Sequence, residues 1–447
     1  MNFAQIGLQV PTLLLPRPGV DLTRWAVVAC DQYTSQPDYW ARVEACVGEA
    51  PSTLRLMLPE IYLGAADEAQ RIAAIQATMQ RYLHEGVLQP QPPGLLRIER
   101  ETARGRTRRG LIAALDLEHY DFNAGARTLI RPTEGTILER LPPRVRVRAQ
   151  APLELPHVMV LIDDPECSVI EPLFAEPQEP LYDAPLMLDS GRVRGWRVDH
   201  PLLIQWVAEQ LSRLADPATF NARYGVHDEP VLLYAMGDGN HSFATAKTIW
   251  DEIKRSAPDP VAILEHPARH ALVELVNLHD AGLEFEAIHR VAFGIDSGAL
   301  LTALAAFCTA EGARVTVLEC PDWAAARQAW AELQQPGRQV IAFVAGARCG
   351  VLRIDQPRLS LPVATLQAFL DAYLPQQPGA RLDYIHGEDT LCQLGAEAGN
   401  IGFYLPALAK GDFFRTIIRD GALPRKTFSM GEADEKRFYL ECRRIIP

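Results

Sequence analysis

The segment 237–242, with the sequence GDGNHS, contains the residues of this chain that are best suited to chemistry. Its glycines, Gly237 and Gly239, let the backbone turn sharply and approach a ligand closely. Asp238 offers a carboxylate, and His241 offers an imidazole that can accept a proton or polarise an oxygen. A turn that only reverses the chain needs one or two polar residues, whereas this segment has four. That density favours a binding or catalytic loop.

Two predicted elements must position this loop. The apolar run at residues 231–236 indicates a buried strand before it. After it, apolar residues recur at helical spacing, at Phe243, Ala246, Trp250 and Ile253. Asn240 or Ser242 can cap that helix, whose N-terminus favours phosphate because free N–H groups and the positive end of the dipole meet there. The loop matches neither standard phosphate-binding pattern, G-x-x-x-x-G-K-[ST] or G-x-G-x-x-G.

Acidic residues follow several predicted strands, at Asp31, Asp163, Asp164, Asp238 and Asp280. In α/β proteins ligands gather at the carboxyl ends of strands, so we expect these carboxylates to converge on one cleft, where Asp31 and Asp238 are the candidate metal ligands. Carboxylates that converge there bind Mg²⁺, which in turn holds phosphate oxygens. The alternative is that each acid only serves the turn after its strand.

Cations elsewhere in the chain are candidates to complete an anion site. Arg290 offers a planar guanidinium group that can donate two hydrogen bonds to a phosphate, and the preceding His289 can shuttle a proton. A structural salt bridge is the alternative for this pair. Lys247 lies one turn beyond Phe243 on the predicted helix and can bring its ammonium to the loop, or pack its stem beside that ring.

The segment RPTEGT, at residues 131–136, is a further candidate. It combines an anion binder, a hydroxyl and a carboxylate in Arg131, Thr133 and Glu134. The alternative is a capped turn closed by an internal ion pair.

These motifs carry a family resemblance. GDGNHSFATAK, at 237–247, resembles the D-G-[HN]-H-x-x-x-x-A signature of the domain of unknown function 1015 family. Further blocks that resemble the family are ACDQYTSQPDYW (29–40), RPTEGTILERLPPRVRVR (131–148), LPHVMVLIDDP (155–165), FEAIHRVAF (285–293) and LPRKTF (423–428). The signature is in turn similar to the nucleotide-contacting loop of the ParB and sulfiredoxin superfold. That superfold includes a DNA-partitioning nucleotide switch, an ATP-dependent sulfinic acid reductase and an ADP-dependent free-serine kinase.

The resemblance implies ATP or ADP with Mg²⁺ as cofactor, bound at the loop. Lys426 and Thr427 resemble the family's C-terminal P-x-K-[ST] element, in which a lysine is a point-charge ligand for phosphate. One departure matters, because relatives place Arg where this chain has Ser242, so another cation must supply that charge. The catalytic Cys of the reductase belongs where Asn240 stands, so we do not expect sulfinic acid reduction.

For the fold, we predict a mixed α/β (α+β) protein. The resemblance implies a ParB/sulfiredoxin-like main lobe over residues 1–293, with a large insertion at about 94–200. The composition becomes Ala-rich after Phe293, which predicts a second, smaller α/β lobe over 294–380. We expect the segment 381–447 to return to the main lobe.

Composition limits the function classes. The chain is 48% hydrophobic and 22% charged, as in ordinary globular proteins, and its net charge of −12 disfavours nucleic acid and anionic lipid as partners. No apolar run approaches the roughly 18 residues of a transmembrane helix. The eight cysteines form no C-x-x-C pair, which suits a reducing compartment. We therefore expect a cytoplasmic protein that binds a nucleotide and a small-molecule substrate.

Three functions remain open. The first is nucleotide-dependent phosphoryl transfer on a small metabolite, with a serine-like hydroxy compound as the best acceptor. The second is a nucleotide-binding regulator of ParB type, which would bind nucleotide without turnover. The third is a phosphatase for a phosphoserine-like compound, which would need no nucleotide.

Overall fold

The computed structural model describes residues 2–447, and the chain divides into two compact units. The main unit consists of the residues up to Leu283 together with Gly431–Pro447, and the second unit is Glu284–Met430. The division thus falls before the change in composition at Phe293, and the return to the main unit comes later than residue 381. The strand that ends at Phe293 explains the difference, since it pairs only with strands of the second unit.

The main unit has seven α-helices among the described residues: α1 (Leu22–Trp25), α2 (Pro37–Val47), α3 (Glu68–His84), α4 (Leu141–Arg148), α5 (Pro201–Leu214), α6 (Pro217–Tyr224) and α7 (Asn240–Ser256). Its strands before the 237–242 loop are β1 (Asn2–Phe3), β2 (Leu8–Gln9), β3 (Leu13–Pro16), β4 (Val27–Val28), β5 (Leu88–Pro90), β6 (Leu95–Glu101), β7 (Thr107–Asp116), β8 (Ile130–Arg131), β9 (Leu153–Glu154), β10 (Met159–Ile162), β11 (Tyr182–Pro185), β12 (Arg192–Val198) and β13 (Tyr234–Asp238). β14 (His270–Asn277) follows α7.

The second unit contains α8 (Ser297–Ala310), α9 (Trp323–Glu332), α10 (Pro362–Tyr373), α11 (Glu388–Gly395) and α12 (Lys410–Asp420). Its strands are β15 (Glu286–Ala287), β16 (His289–Phe293), β17 (Arg314–Cys320), β18 (Arg338–Ala345), β19 (Arg348–Asp355), β20 (Arg381–Ile385), β21 (Asn400–Tyr404) and β22 (Phe428–Ser429). The chain then returns to the main unit with β23 (Phe438–Tyr439) and β24 (Cys442–Arg444).

The largest sheet of the main unit has the strand order β11-β12-β6-β7-β14-β10-β13-β8, with β2 added beside β7 and β1 beside β2. β6, β7 and β12 come from the stretch predicted as an insertion, yet they lie inside this sheet. Alternate residues of β7 face opposite sides of it, as strand geometry requires. Leu111, Ala113 and Leu115 join an apolar core with α5 and α7, whereas Ile112 joins a second core with α1 and α2.

β13 and α7 flank the loop, as the sequence predicts, although the strand begins at Tyr234 and runs through Asp238. Phe243 and Trp250 fix α7 on the sheet because both rings are fully buried. β13 pairs in parallel with β8 but antiparallel with β10, where Met159 is opposite Asp238. Asp163 follows the other end of β10, so it lies at the opposite end of the strands from Asp238. The antiparallel pairing of β10 with β13 therefore keeps Asp163 and Asp164 away from Asp238, whereas the parallel pairing of β10 with β14 leaves Asp280 at the same end as Asp163.

The sheet of the second unit has the order β17-β19-β18-β21-β16-β20, and all its pairings are antiparallel. Its Ala-rich helices α8 and α9 flank β17, as the composition of residues 297–335 predicts. Sheets and helices alternate through the whole chain, so the predicted mixed α/β class is confirmed. No helix within residues 2–447 is long and apolar enough to cross a bilayer.

Candidate functional site

A glycine in the left-handed backbone conformation, Gly239, fixes the course of the 237–242 loop. Gly239 is the N-cap of α7 and has φ +80, a conformation that glycine adopts without a steric penalty. Its backbone N–H donates to Asp238 Oδ1 at 2.9 Å, so the carboxylate is bound at the start of the helix. A Cβ at this position would lie 3.0 Å from Val158 Cα. Both the conformation and the close approach to β10 therefore require glycine.

Replacing Gly239 by alanine should destabilise the main unit by more than replacing Gly64, which has φ +79 but nothing within 4 Å of its virtual Cβ. Each substitution carries a left-handed penalty of about 1–2 kcal/mol, and Gly239→Ala adds an overpacking penalty of about 1–3 kcal/mol. Urea unfolding of both variants, followed by circular dichroism, measures the difference. Equal losses would show that the Val158 contact is unimportant.

The segment after β8 locks the loop in place. Thr133 donates from its backbone N–H to Asn240 Oδ1 at 3.2 Å and from its hydroxyl to Met236 O at 2.6 Å. His241 Nε2 accepts from Ile137 N–H at 3.3 Å. The structure thus brings Thr133, Asn240 and His241 together, as scaffold for the loop.

Two other residues of the RPTEGT segment lie close by. Arg131 is buried, and it donates to the carbonyl oxygens of Thr128 and Pro230 at 3.0 and 2.6 Å. Those bonds join the start of β8 to the approach to β13. Glu134 is half-buried.

Lys436, from the C-terminal segment, supplies a cation at the loop. Its Nζ lies 3.3 Å from Asp238 Oδ2, and the two side chains are 14% and 28% exposed. Burial alone would raise the pKa of Asp238, but Lys436, the Gly239 N–H and His157 hold it below its ordinary value. Lys247, the sequence candidate for this charge, pairs with Asp251 instead, at 2.9 Å one turn further along α7.

Ser242, which stands where relatives have Arg, belongs to a row of hydrogen bonds. Its Oγ is 2.6 Å from His157 Nε2, and His157 Nδ1 is 2.9 Å from the Tyr439 hydroxyl. That hydroxyl accepts from the backbone N–H of Cys30 at 3.2 Å. Either neutral tautomer of His157 satisfies both of its ring hydrogen bonds, because Ser242 and Tyr439 can each donate or accept. The row is therefore a path along which a proton can move.

This row forms one wall of a cavity of about 740 Å³, including its open mouth, which we call the His157 cavity. Its charged lining groups form ion pairs, Arg144 with Glu60 and Arg148 with Glu154, both at 2.5 Å. The remaining lining is mostly apolar, from Leu56, Met57, Leu58, Leu63, Met79, Val147, Leu153 and Leu155. A small organic molecule fits such a lining, with its polar end toward Ser242.

Asp31 lies at the other end of the hydrogen-bonded row. Its Oδ1 accepts from Gln32 Nε2 at 2.9 Å. Burial, together with the nearby Cys30 and Asp31, raises the pKa of Tyr439. Asp31 thus helps to raise the pKa of Tyr439, whereas His157 helps to lower the pKa of Asp238. Within residues 2–447, no group of three His, Cys, Asp or Glu side chains is arranged to hold a metal ion.

Comparison with known proteins identifies the family to which this chain belongs. The profile of the family described as "Protein of unknown function (DUF1015)" matches residues 14–373 of the chain. The chain belongs to this family. The family resemblance seen in the sequence is therefore confirmed. No curated protein matches the chain.

Solved structures similar to this DUF1015 protein share little sequence with it. A free serine kinase variant in complex with AMP is 12% identical, with a TM-score of 0.39, and the match covers 75% of this chain and 92% of the kinase. A conserved hypothetical protein from Pyrococcus furiosus is 12% identical, with a TM-score of 0.34, and the match covers 75% of this chain and 95% of that protein. SbnI with a C-terminal truncation, from Staphylococcus aureus, is 9% identical, with a TM-score of 0.34, and the match covers 72% of this chain and 82% of SbnI.

Four sequence candidates lie in the second unit of the DUF1015 chain. Arg290 is 0% exposed, and it donates to Gln367 Oε1 and to the carbonyl oxygens of Ile288 and Arg425 at 2.6–3.1 Å. Its guanidinium thus joins three segments of that unit. Thr427 donates to Pro424 O at 2.6 Å and closes a turn in which Lys426 has φ 55.

His289, the fourth candidate, is buried in the second unit. Its Nδ1 accepts from Leu405 N–H at 3.2 Å, and its ring stacks on Tyr404. Burial, together with the nearby Arg290 and Arg327, lowers the pKa of His289 to about 4, and Glu388 opposes only part of that shift. The ring is therefore neutral near neutral pH.

This shift predicts acid sensitivity of the second unit. Below the unfolded pKa of about 6.5 the unfolded chain binds a proton that folded His289 does not, so the free energy of unfolding falls as pH falls toward the folded value. We expect a loss of about 2 kcal/mol from His289 between about pH 7 and about pH 5. His289→Asn, which keeps an acceptor for Leu405 N–H, should flatten this part of the pH dependence in urea unfolding. His386→Asn, at an exposed ring, should leave it intact.

The sequence analysis missed three residues that complete the site of this family member. His157 precedes β10 in the block LPHVMVLIDDP, whose resemblance to the family was a usable signal. Lys436 and Tyr439 lie about two hundred residues beyond the loop in a segment without a motif, so only the fold brings them to it.

Proposed function

We propose that this DUF1015 protein transfers a phosphoryl group between a nucleotide and a small hydroxy compound. One observation carries the proposal: at the N-terminus of α7, the Asp238 carboxylate lies between the Gly239 N–H and the Lys436 ammonium. Phosphoryl transfer depends mainly on positioning and charge neutralisation, and this arrangement offers an anion-binding helix end, a cation and an acid together.

Each part has a role. The first-turn N–H groups of α7 have no carbonyl one turn earlier to bond, so they and Lys436 bind phosphate oxygens. Mg²⁺ in proteins is commonly held by one or two carboxylates plus substrate phosphates, and it supplies charge neutralisation when bound. Asp238 fits this role because its side chain is 28% exposed and its pKa is lowered, which keeps it charged. We assign Asp31 to the hydrogen-bonded row and not to the metal, because its contacts are with Gln32 and, electrostatically, with Tyr439.

The acceptor substrate occupies the His157 cavity with its hydroxyl beside Ser242. Ser242 Oγ takes the hydroxyl proton and passes its own to His157 Nε2, 2.6 Å away. Tyr439 fixes the orientation of the ring from the other side. Serine is the first acceptor to test, because the family signature resembles that of the superfold to which the free-serine kinase belongs.

Calorimetric titration of the full chain with ADP, ATP and CTP, with and without Mg²⁺, tests the nucleotide site. Phosphorus NMR of ATP or ADP with L-serine then tests transfer. We expect micromolar to millimolar nucleotide binding and a new phosphomonoester signal. A folded protein that binds no nucleotide would exclude the proposal, and binding without transfer to any small alcohol would favour the regulator.

The short Ser242–His157 contact favours a phosphatase as second candidate. A serine hydroxyl bonded to an imidazole is the arrangement of an activated nucleophile. Release of phosphate from phosphoserine without nucleotide would identify this activity, and Ser242→Ala would abolish it. In the kinase the same substitution would leave nucleotide binding intact.

A further inference from the structure

A second concave surface lies on the main unit, between β6, β12 and α5. We call it the Arg97 groove, and it has a volume of about 800 Å³, including its open mouth. Its lining includes Arg97, Leu173, Glu176, Gln178, Arg197 and Trp206, none of which lines the His157 cavity. We propose that this groove binds an organic carboxylate with an apolar body. The proposal is independent of the function proposed for the 237–242 loop.

The groove is lined by a buried cation, Arg97, whose nearby carboxylate, Glu99, acts on it only from beyond ion-pair distance. Arg97 is 4% exposed, and no carboxylate in the described chain, residues 2–447, lies within ion-pair distance of it. Its Nη2 donates to Gln178 Oε1 at 3.1 Å, while its Nε has no hydrogen-bond partner. Glu99, two residues along β6, is already paired with Arg109 and Arg194, at 3.3 and 2.6 Å.

Aromatic rings hold Arg97 in place but do not neutralise it. Its guanidinium carbon lies 5.1 Å from the centre of the Phe174 ring and 5.3 Å from that of Trp196. Such cation–π contacts offset part of the desolvation of a guanidinium, whereas a buried charge is fully stabilised only by a charged partner. An anion in the groove would supply that partner.

The lining identifies the class of anion. The planar guanidinium fork matches a carboxylate, and Arg197 at the rim adds a second cation, held by Asp199 at 3.6 Å. Glu176 also lines the groove and disfavours a doubly charged phosphate. Leu173, Leu203 and Trp206 offer an apolar wall for the rest of the ligand. An amino acid with a large apolar side chain would satisfy Arg97, Glu176 and this wall together.

Fluorescence of Trp196 and Trp206, with calorimetry on the full chain, tests the proposal. The probes are L-phenylalanine, phenylacetate, phenethylamine and inorganic phosphate. We expect the two carboxylates to bind with Kd below about 10 mM, and phenethylamine and phosphate to bind at least about tenfold more weakly. Failure of both carboxylates to bind, or tighter binding of phosphate or the amine, overturns it.

Variants separate ligand binding from packing. Arg97→Gln should weaken binding of the carboxylates by about 10- to 100-fold, as loss of a charge-assisted hydrogen bond does. Arg109→Gln is the matched control, because Arg109 also stacks on Phe174, at 4.8 Å, but does not line the groove. It should bind within about twofold of the parent. Arg197→Gln, at a half-buried rim position, should weaken binding even if Arg97→Gln fails to fold. Equal losses in Arg109→Gln, or no loss in Arg197→Gln, would contradict the proposal.

Discussion

Asp238→Asn should lower kcat for phosphoryl transfer by about 10³, the size expected when a group that stabilises transition-state charge is removed. Asparagine keeps the shape of the side chain and an oxygen for the Gly239 N–H, so the loop should stay folded. The substitution also releases Lys436 from its carboxylate partner, 3.3 Å away. Nucleotide binding without Mg²⁺ should therefore be unchanged or tighter, while kcat falls. Titration calorimetry and single-turnover kinetics measure the two effects separately.

A matched control lies on the same helix. Asp251 pairs with Lys247 at 2.9 Å, so Asp251→Asn also breaks an acid–lysine pair, but away from the loop. We expect a change in kcat of less than about twofold for that variant. If Asp238→Asn kept kcat within about tenfold of the parent, the acid would be a helix cap and Lys436 partner only.

Local sequence determines the loop and the elements beside it. The apolar run, the two glycines and the helical spacing after Ser242 specify a strand, a turn and α7 within one continuous segment. These interactions are short-range, so the pattern of residue types is sufficient to predict them. The left-handed conformation of Gly239, at φ +80, is permitted by glycine, but the sequence alone does not predict it, since an N-cap residue is ordinarily extended.

The partners of the loop could not be predicted in this way. Strand direction is a property of the whole sheet, and it separates Asp163 from Asp238 although both follow apolar runs. The sequence pattern around an arginine in a strand is the same whether its side chain binds phosphate or is buried in a core. Arg290 is buried, and it donates to three carbonyl or amide oxygens. Lys436 reaches Asp238 only because β23 pairs with β4 and returns the C-terminal segment to the main unit.

His157→Gln should lower kcat by about 10²–10³, because general acid–base catalysis by a positioned side chain contributes that much. Glutamine can retain a hydrogen bond to Ser242 but cannot take its proton. Binding of nucleotide and acceptor should therefore change little, and the loss should appear in kcat and not in KM. Initial rates over a range of acceptor concentrations give both constants, and a reduced solvent isotope effect would show that proton transfer has been altered.

Tyr439→Phe distinguishes a proton path from simple packing around His157. Phenylalanine keeps the buried ring that stands edge-on to His157, but it removes the hydroxyl 2.9 Å from Nδ1. A positioning role predicts a smaller fall in kcat, about tenfold, since one hydrogen bond to the ring contributes about 1 kcal/mol. The double variant with His157→Gln should then lose no more than His157→Gln alone, because Tyr439 acts only through that imidazole. Additive losses would mean that the tyrosine hydroxyl contacts the substrate directly, and that the path from Ser242 ends at His157.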